Sequence, residues 1–128
     1  MFPVLLLILL LVLGGLAAGA AWLRKKRGEA VAKARADLKS FRVALTVYEV
    51  DNADFPDTAQ GLDALLRRPT LPPAPKNWRG PYWEPTTIPF DPWGNPYVYR
   101  WPGLKGAIDL YSCGPDGQPG TADDIRGY

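Results

Sequence analysis

A chain of 128 residues with 15 basic and 13 acidic side chains, a net charge of +2 and 47% hydrophobic residues has room for one small domain and little more. It has no histidine and a single cysteine, which removes the commonest general base, the commonest catalytic-zinc ligand and any intramolecular disulfide. Cys113 has no histidine to activate it, and the glycine-rich C-terminal segment neither precedes a helix nor carries a lysine placed for phosphate, so an enzyme is not expected.

The first element is an anchor over residues 1–23. MFPVLLLILLLVLGGLAAGAAWL carries no charge, and Phe2 to Trp22 as a helix reaches about 31 Å at roughly 1.5 Å per residue, long enough to cross a bilayer. The basic group Arg24 to Arg27 follows this run instead of preceding it, unlike a cleaved secretory signal. Gly15 and Gly19 form a G-x-x-x-G spacing that lets another helix approach closely. Taken alone, the positive-inside rule would put the rest of the chain in the cytoplasm.

Residues 24–52 continue the anchor as a spine. Arg24 to Arg42 holds eight basic and two acidic residues, whereas Val43 to Tyr128 holds seven and eleven, giving a basic rod with a slightly acidic knob. Such a rod beside a membrane span suits anionic lipid head groups, and it lacks the interleaved aromatics of a nucleic-acid surface. Val31, Leu38 and Leu45 recur every seven residues, as do Ala34, Phe41 and Tyr48. That stripe predicts one continuous helix of about 45 residues. Val43, Val47 and Val50 add a second apolar face, so the helix is expected to be buried over a wide arc near Asp51. Gly28 should weaken the junction by about 1 kcal/mol relative to alanine.

Residues 53–128 read as a globular head. After the DNADFP break, Asp57 and Gln60 offer a D-x-x-Q cap ahead of Leu62, Leu65 and Leu66, with Arg67, Arg68 and Pro69 as the stop, which predicts a short second helix. The proline-rich stretch that follows has neither regular period. Its aromatics, Trp78, Tyr82, Trp83, Phe90 and Trp93, predict an ordered loop, because their burial offsets the entropy of fixing it. NPYVYRW and GAIDLYSC read as two strands of a hairpin joined around Pro102 to Gly106.

The C-terminal stretch GPDGQPGTADD sets Asp116, Asp123 and Asp124 within nine residues. Like charges so close repel unless a cation neutralises them, and Gly114, Gly117 and Gly120 can take positive φ and turn carbonyls inward. Oxygen-only ligands at this density suit calcium better than magnesium, although the spacing is not that of an EF-hand. A solvated acidic tail is the alternative reading.

The segments YEVDNADFPDTAQGLDALLRRP, NWRGPYW, PFDPWGNPYVYRWPG and IDLYSCGPDGQPGTADDI, in that order over Val43 to Ile125, resemble the major pseudopilins of the bacterial type II secretion system. The resemblance implies an α+β, type IV pilin-like fold. A long N-terminal helix, part anchor and part spine, would pack on a small head with a short helix, a long proline-rich loop, a small antiparallel sheet and a calcium-binding C-terminal loop. It implies calcium held by the side chains of Asp116, Asp123 and Asp124 and by the backbone oxygens of Cys113 and Gln118. Implied partners are further copies of the chain, minor pseudopilins, an inner-membrane assembly platform and the lipid bilayer, with no nucleic acid. The implied location is the bacterial inner membrane, single-pass, with the head in the periplasm, and the implied role is a fibre that drives folded proteins across the outer membrane.

The N-terminus departs from the family's pattern. Its prepilins carry a basic leader cut before a methylated phenylalanine, and the mature chain has glutamate fifth. Here Pro3 follows Phe2, Leu5 stands fifth and no acid precedes Glu29. A basic leader ahead of residue 1 would hold the N-terminus inside and leave the head in the periplasm. Two other readings are an accessory pseudopilin that does not polymerise, and a membrane-tethered calcium module whose Trp78, Trp83, Trp93 and Trp101 meet a ligand.

Overall fold

The structure, a computed structural model, describes residues 2–127. A single helix, α1, spans Phe2–Asn52, 51 residues, somewhat longer than the period alone predicts. Gly28 does not interrupt it, and a Cβ there would meet nothing within 4 Å. The seven-residue stripe is the buried one: Ala34, Leu38, Phe41, Leu45 and Tyr48 face the head, joined by Ala44. The helix stops where Ala53 turns to φ 72 and its N–H reaches back to the Glu49 carbonyl at 2.8 Å, a left-handed cap usually given to glycine.

The second apolar face is not buried. Val43, Val47 and Val50 are 65%, 47% and 77% exposed. The head packs against the Leu38–Tyr48 side of α1, and the loop carrying Pro81, Tyr82 and Trp83 only flanks the valines, leaving an open groove of about 620 Å³.

The expected second helix is reduced to a single 3₁₀ turn, Leu62–Leu65. The cap itself forms: Asp57 Oδ1 accepts from the Gln60 N–H at 2.7 Å and Gln60 Oε1 from the Asp57 N–H at 3.0 Å. It closes on its own turn, because Gly61 takes φ 63 immediately afterwards and redirects the chain. The Gln60 amide then donates to the carbonyls of Leu71 and Pro73, at 2.8 and 2.7 Å, and ties down the start of the proline-rich loop.

That loop is ordered by its aromatics, as expected. Trp83 stacks on Phe41 with ring centroids 4.4 Å apart, and Tyr82 meets Tyr48 edge-on at 5.5 Å. Trp78 donates its indole N–H to the Ala64 carbonyl at 2.9 Å, and the Tyr82 hydroxyl donates to Asp51 at 2.8 Å. Trp78, Trp83, Trp93 and Trp101 are all partly buried against the core. Phe90 is the exception and is exposed; its neighbour Asp91 takes the inward position instead.

Three antiparallel strands complete the head: β1 (Val98–Arg100), β2 (Asp109–Ser112) and β3 (Ile125–Arg126), in the order β1-β2-β3. Val98 pairs with Tyr111 and Arg100 with Asp109, confirming the predicted hairpin. Strand β3, absent from the sequence reading, pairs Arg126 with Tyr111 and Ile125 with Ser112. The Arg126 guanidinium sits 4.8 Å from the Tyr111 ring centroid, a cross-strand cation–π pair.

Buried Asp109 fastens the hairpin by accepting the backbone N–H groups of Leu104 at 2.8 Å and Lys105 at 3.3 Å. The Leu104 bond leads in holding this carboxyl below its ordinary value, against the opposing effect of burial. A carboxyl whose value is depressed by folding adds stability above its unfolded pKa and loses it as pH falls through the folded one. Acid titration of thermal stability from pH 6 to pH 3 should therefore show a decline beginning near about pH 4, and Asp109→Asn should flatten that decline.

Candidate metal centre

The C-terminal loop leaves β2 at Ser112 and returns at Ile125. Its first residues are bolted to the Asp91–Asn95 turn. Ser112 Oγ donates to Asp91 Oδ2 at 2.7 Å and accepts the Gly114 N–H at 3.0 Å. The other oxygen of Asp91 accepts the N–H groups of Trp93 at 3.0 Å and Asn95 at 2.8 Å. Asp91 and Ser112 are both buried, and the sequence reading assigned neither a role. The signal was Asp followed by Pro and Gly-Asn, which reads as a surface turn; nothing local shows that the carboxylate turns inward.

Gly114, Gly117 and Gly120 all take positive φ, at 71, 68 and 81, as expected. Gly114 matters most, because a Cβ there would run into the Asp123 carbonyl from the far end of the loop. Absence of a side chain is what lets the two ends of the loop meet.

The candidate ligands share this loop but differ in setting. Asp116 is exposed; Oδ1 accepts the Gln118 N–H at 2.9 Å and Oδ2 the Thr121 hydroxyl at 2.7 Å, and these bonds hold its carboxyl low. Gln118 is exposed, and its carbonyl accepts from Thr121 at 3.3 Å. Asp123 is exposed. Asp124 is half-buried; Oδ2 accepts the Gly120 N–H at 2.8 Å, while Oδ1 is enclosed with no hydrogen-bond partner. Cys113 is buried, and burial first, then the negative charges of Asp124, Asp91 and Asp116, push its thiol up. Among the described residues no three acidic or cysteine side chains converge tightly enough to enclose a metal ion.

The donor set is nevertheless chemically suited to a hard cation. Every side chain offered is a carboxylate, and a desolvated carboxylate oxygen without a donor is a costly feature that a cation would relieve.

Comparison with known proteins bears on most of the chain. A family model described as type II secretion system (T2SS), protein G, matches residues 22–127. The type II secretion system core protein G of Pseudomonas aeruginosa is 48% identical over 95 residues, covering 73% of this chain and 66% of that protein. Its counterparts in Escherichia coli K12 and Vibrio cholerae are 46% and 45% identical over 96 and 100 residues, each covering 75% of this chain and 66% of the relative. The chain thus spans just under two thirds of the length of these relatives. The crystal structure of the major pseudopilin from the type 2 secretion system of enterohaemorrhagic Escherichia coli superposes with a TM-score of 0.73 at 40% identity, covering 80% of this chain and 86% of that one.

Proposed function

The chain belongs to the type II secretion system protein G family, and we propose that it is the repeating subunit of a pseudopilus that moves folded proteins across the outer membrane, its head clamped by calcium. The fold is type IV pilin-like, and the family is structural, not enzymatic.

The observation that carries the subunit reading is the unpartnered half of α1. From Pro3 to Glu29 the helix is exposed on every side, and its most apolar window, long enough to cross a membrane, has none of its residues buried. A helix apolar all round needs lipid or other helices about it. A single-pass inner-membrane anchor with a periplasmic head supplies the first, and other copies in a fibre supply the second. Minor pseudopilins and an inner-membrane assembly platform are the further partners of such a fibre.

Calcium is supported by the enclosed, unpartnered Oδ1 of Asp124. Asp116, Asp123 and Asp124 would hold the ion with the carbonyl oxygens of Cys113 and Gln118. Bound there, it would neutralise three mutually repelling carboxylates. The chain's own contribution is to bring the loop ends together at Gly114 and to anchor them through Ser112 and Asp91.

Chemical cross-linking of the full chain in bacterial membranes at native expression tests both parts. A ladder of multimers is expected in calcium, weakened by chelator and by Asp124→Ala. Monomer under every condition overturns the subunit reading. A ladder indifferent to chelator and to Asp124→Ala overturns the clamp and leaves the subunit.

A further inference from the structure

Arg24, Lys25, Lys26 and Arg27 begin where the uncharged run ends at Leu23, and all four are exposed. Each helical residue turns about 100° and rises about 1.5 Å, so the four side chains fan over about 300° of circumference within about 4.5 Å of axis. They make a collar, not a stripe. A helix packed alongside covers about a third of the circumference, so one neighbour leaves at least two of these cations facing outward.

Among the described residues, anions do little to satisfy the collar. Glu29 reaches Lys26 at 3.6 Å with both side chains more than half exposed, an arrangement worth little. The next acid along the helix, Asp37, is taken by Lys33 at 2.7 Å and by the Tyr97 hydroxyl at 2.7 Å. At the same level, Lys26 Nζ lies 5.8 Å from the ring centroid of exposed Trp22. An amphipathic indole beside a cation at the end of an apolar run is what a membrane–water boundary selects.

We propose that this collar is a binding site for anionic phospholipid head groups, gathering several such lipids around α1 where it leaves the bilayer. Arg24 and Arg27 present planar forks that match two phosphate oxygens at once, while Lys25 and Lys26 act as mobile point charges. The depth matches as well, since four residues of helical rise fall within a single head-group layer. The site rests on the proposed reading of α1 as a membrane anchor and is independent of assembly into a fibre.

The test is native mass spectrometry of the full chain in neutral detergent with equimolar phosphatidylglycerol and phosphatidylethanolamine of identical acyl chains. Retention of phosphatidylglycerol should exceed that of phosphatidylethanolamine by about tenfold. The preference should fall towards parity in R24Q/K25Q/K26Q/R27Q and partway in R24Q/R27Q, with the head's melting unchanged in both. K33Q/K39Q, further along the helix, should keep most of it. Parity in the unaltered chain, or an undiminished preference in the quadruple variant, overturns the proposal. So does displacement of the lipid by inorganic phosphate at matched ionic strength, which would reveal a free-anion site.

Discussion

Phe41→Ala should lower the stability of the head by about 3–5 kcal/mol, the largest loss expected from a single side chain in this fold. Phe41 is fully buried and joins three parts of the molecule. It projects from α1, stacks on Trp83 of the proline-rich loop at 4.4 Å, and meets Tyr97, just ahead of β1, edge-on at 5.2 Å. Truncation leaves a cavity and forfeits both ring pairs, each worth about 0.5–1.5 kcal/mol beyond its area. Thermal denaturation of the full chain in detergent should show a fall in Tm of roughly 15 °C or more for a head of this size. Phe41→Leu should recover part of it. Val43→Ala, two residues along but on the open face, should stay within about 0.5 kcal/mol. A Phe41→Ala effect as small as that of Val43→Ala would show that the loop does not depend on this ring.

Gly114→Ala should be nearly as damaging, and for a different reason. Its φ of 71 already costs a side-chain-bearing residue about 1–2 kcal/mol, and the new Cβ would strike the backbone carbonyl of Asp123, which has no flexible end to move aside. Together these should reach about 3 kcal/mol and force the ends of the C-terminal loop apart. Gly120→Ala separates the two causes: φ is 81, but nothing lies within 4 Å of the added atom. It should cost only about 1 kcal/mol. Denaturant melts of both variants with calcium and with chelator check this; equal losses would show that the contact with Asp123 is immaterial.

The parts of the fold legible in the sequence are those set by local repetition. Ala34, Leu38, Phe41, Leu45 and Tyr48 are buried because a helix returns them to one side, and the short runs around Val98–Arg100 and Asp109–Ser112, with Pro102 to Gly106 between them, read as the hairpin that forms. The remainder depends on what comes to lie alongside. Val43, Val47 and Val50 are as apolar as the buried stripe, and only the position of the head leaves them open. The Asp57–Gln60 cap is real, yet one left-handed glycine prevents it from starting an α-helix. Strand β3 is two residues long, too short to display a period, and exists because β2 offers it an edge. In the C-terminal loop, residue types and spacing pointed to Asp116, Asp123 and Asp124. Their different settings, and the buried brace of Asp91 and Ser112 beneath them, arise from contacts across the chain.

Strand β3 also governs when the head can exist. Gly127 lies so close to α1 that a Cβ would come within 2.7 Å of Leu38, so the residues that follow Ile125 dock on a helix made long before them. Until Ile125 and Arg126 have left the ribosome, the sheet has an open edge at β2 and the acidic loop has only one end attached. Closure of the head therefore waits for β3. Its rate should reflect the long chain separation between Leu38 and Gly127 more than the quick local pairing of β1 with β2.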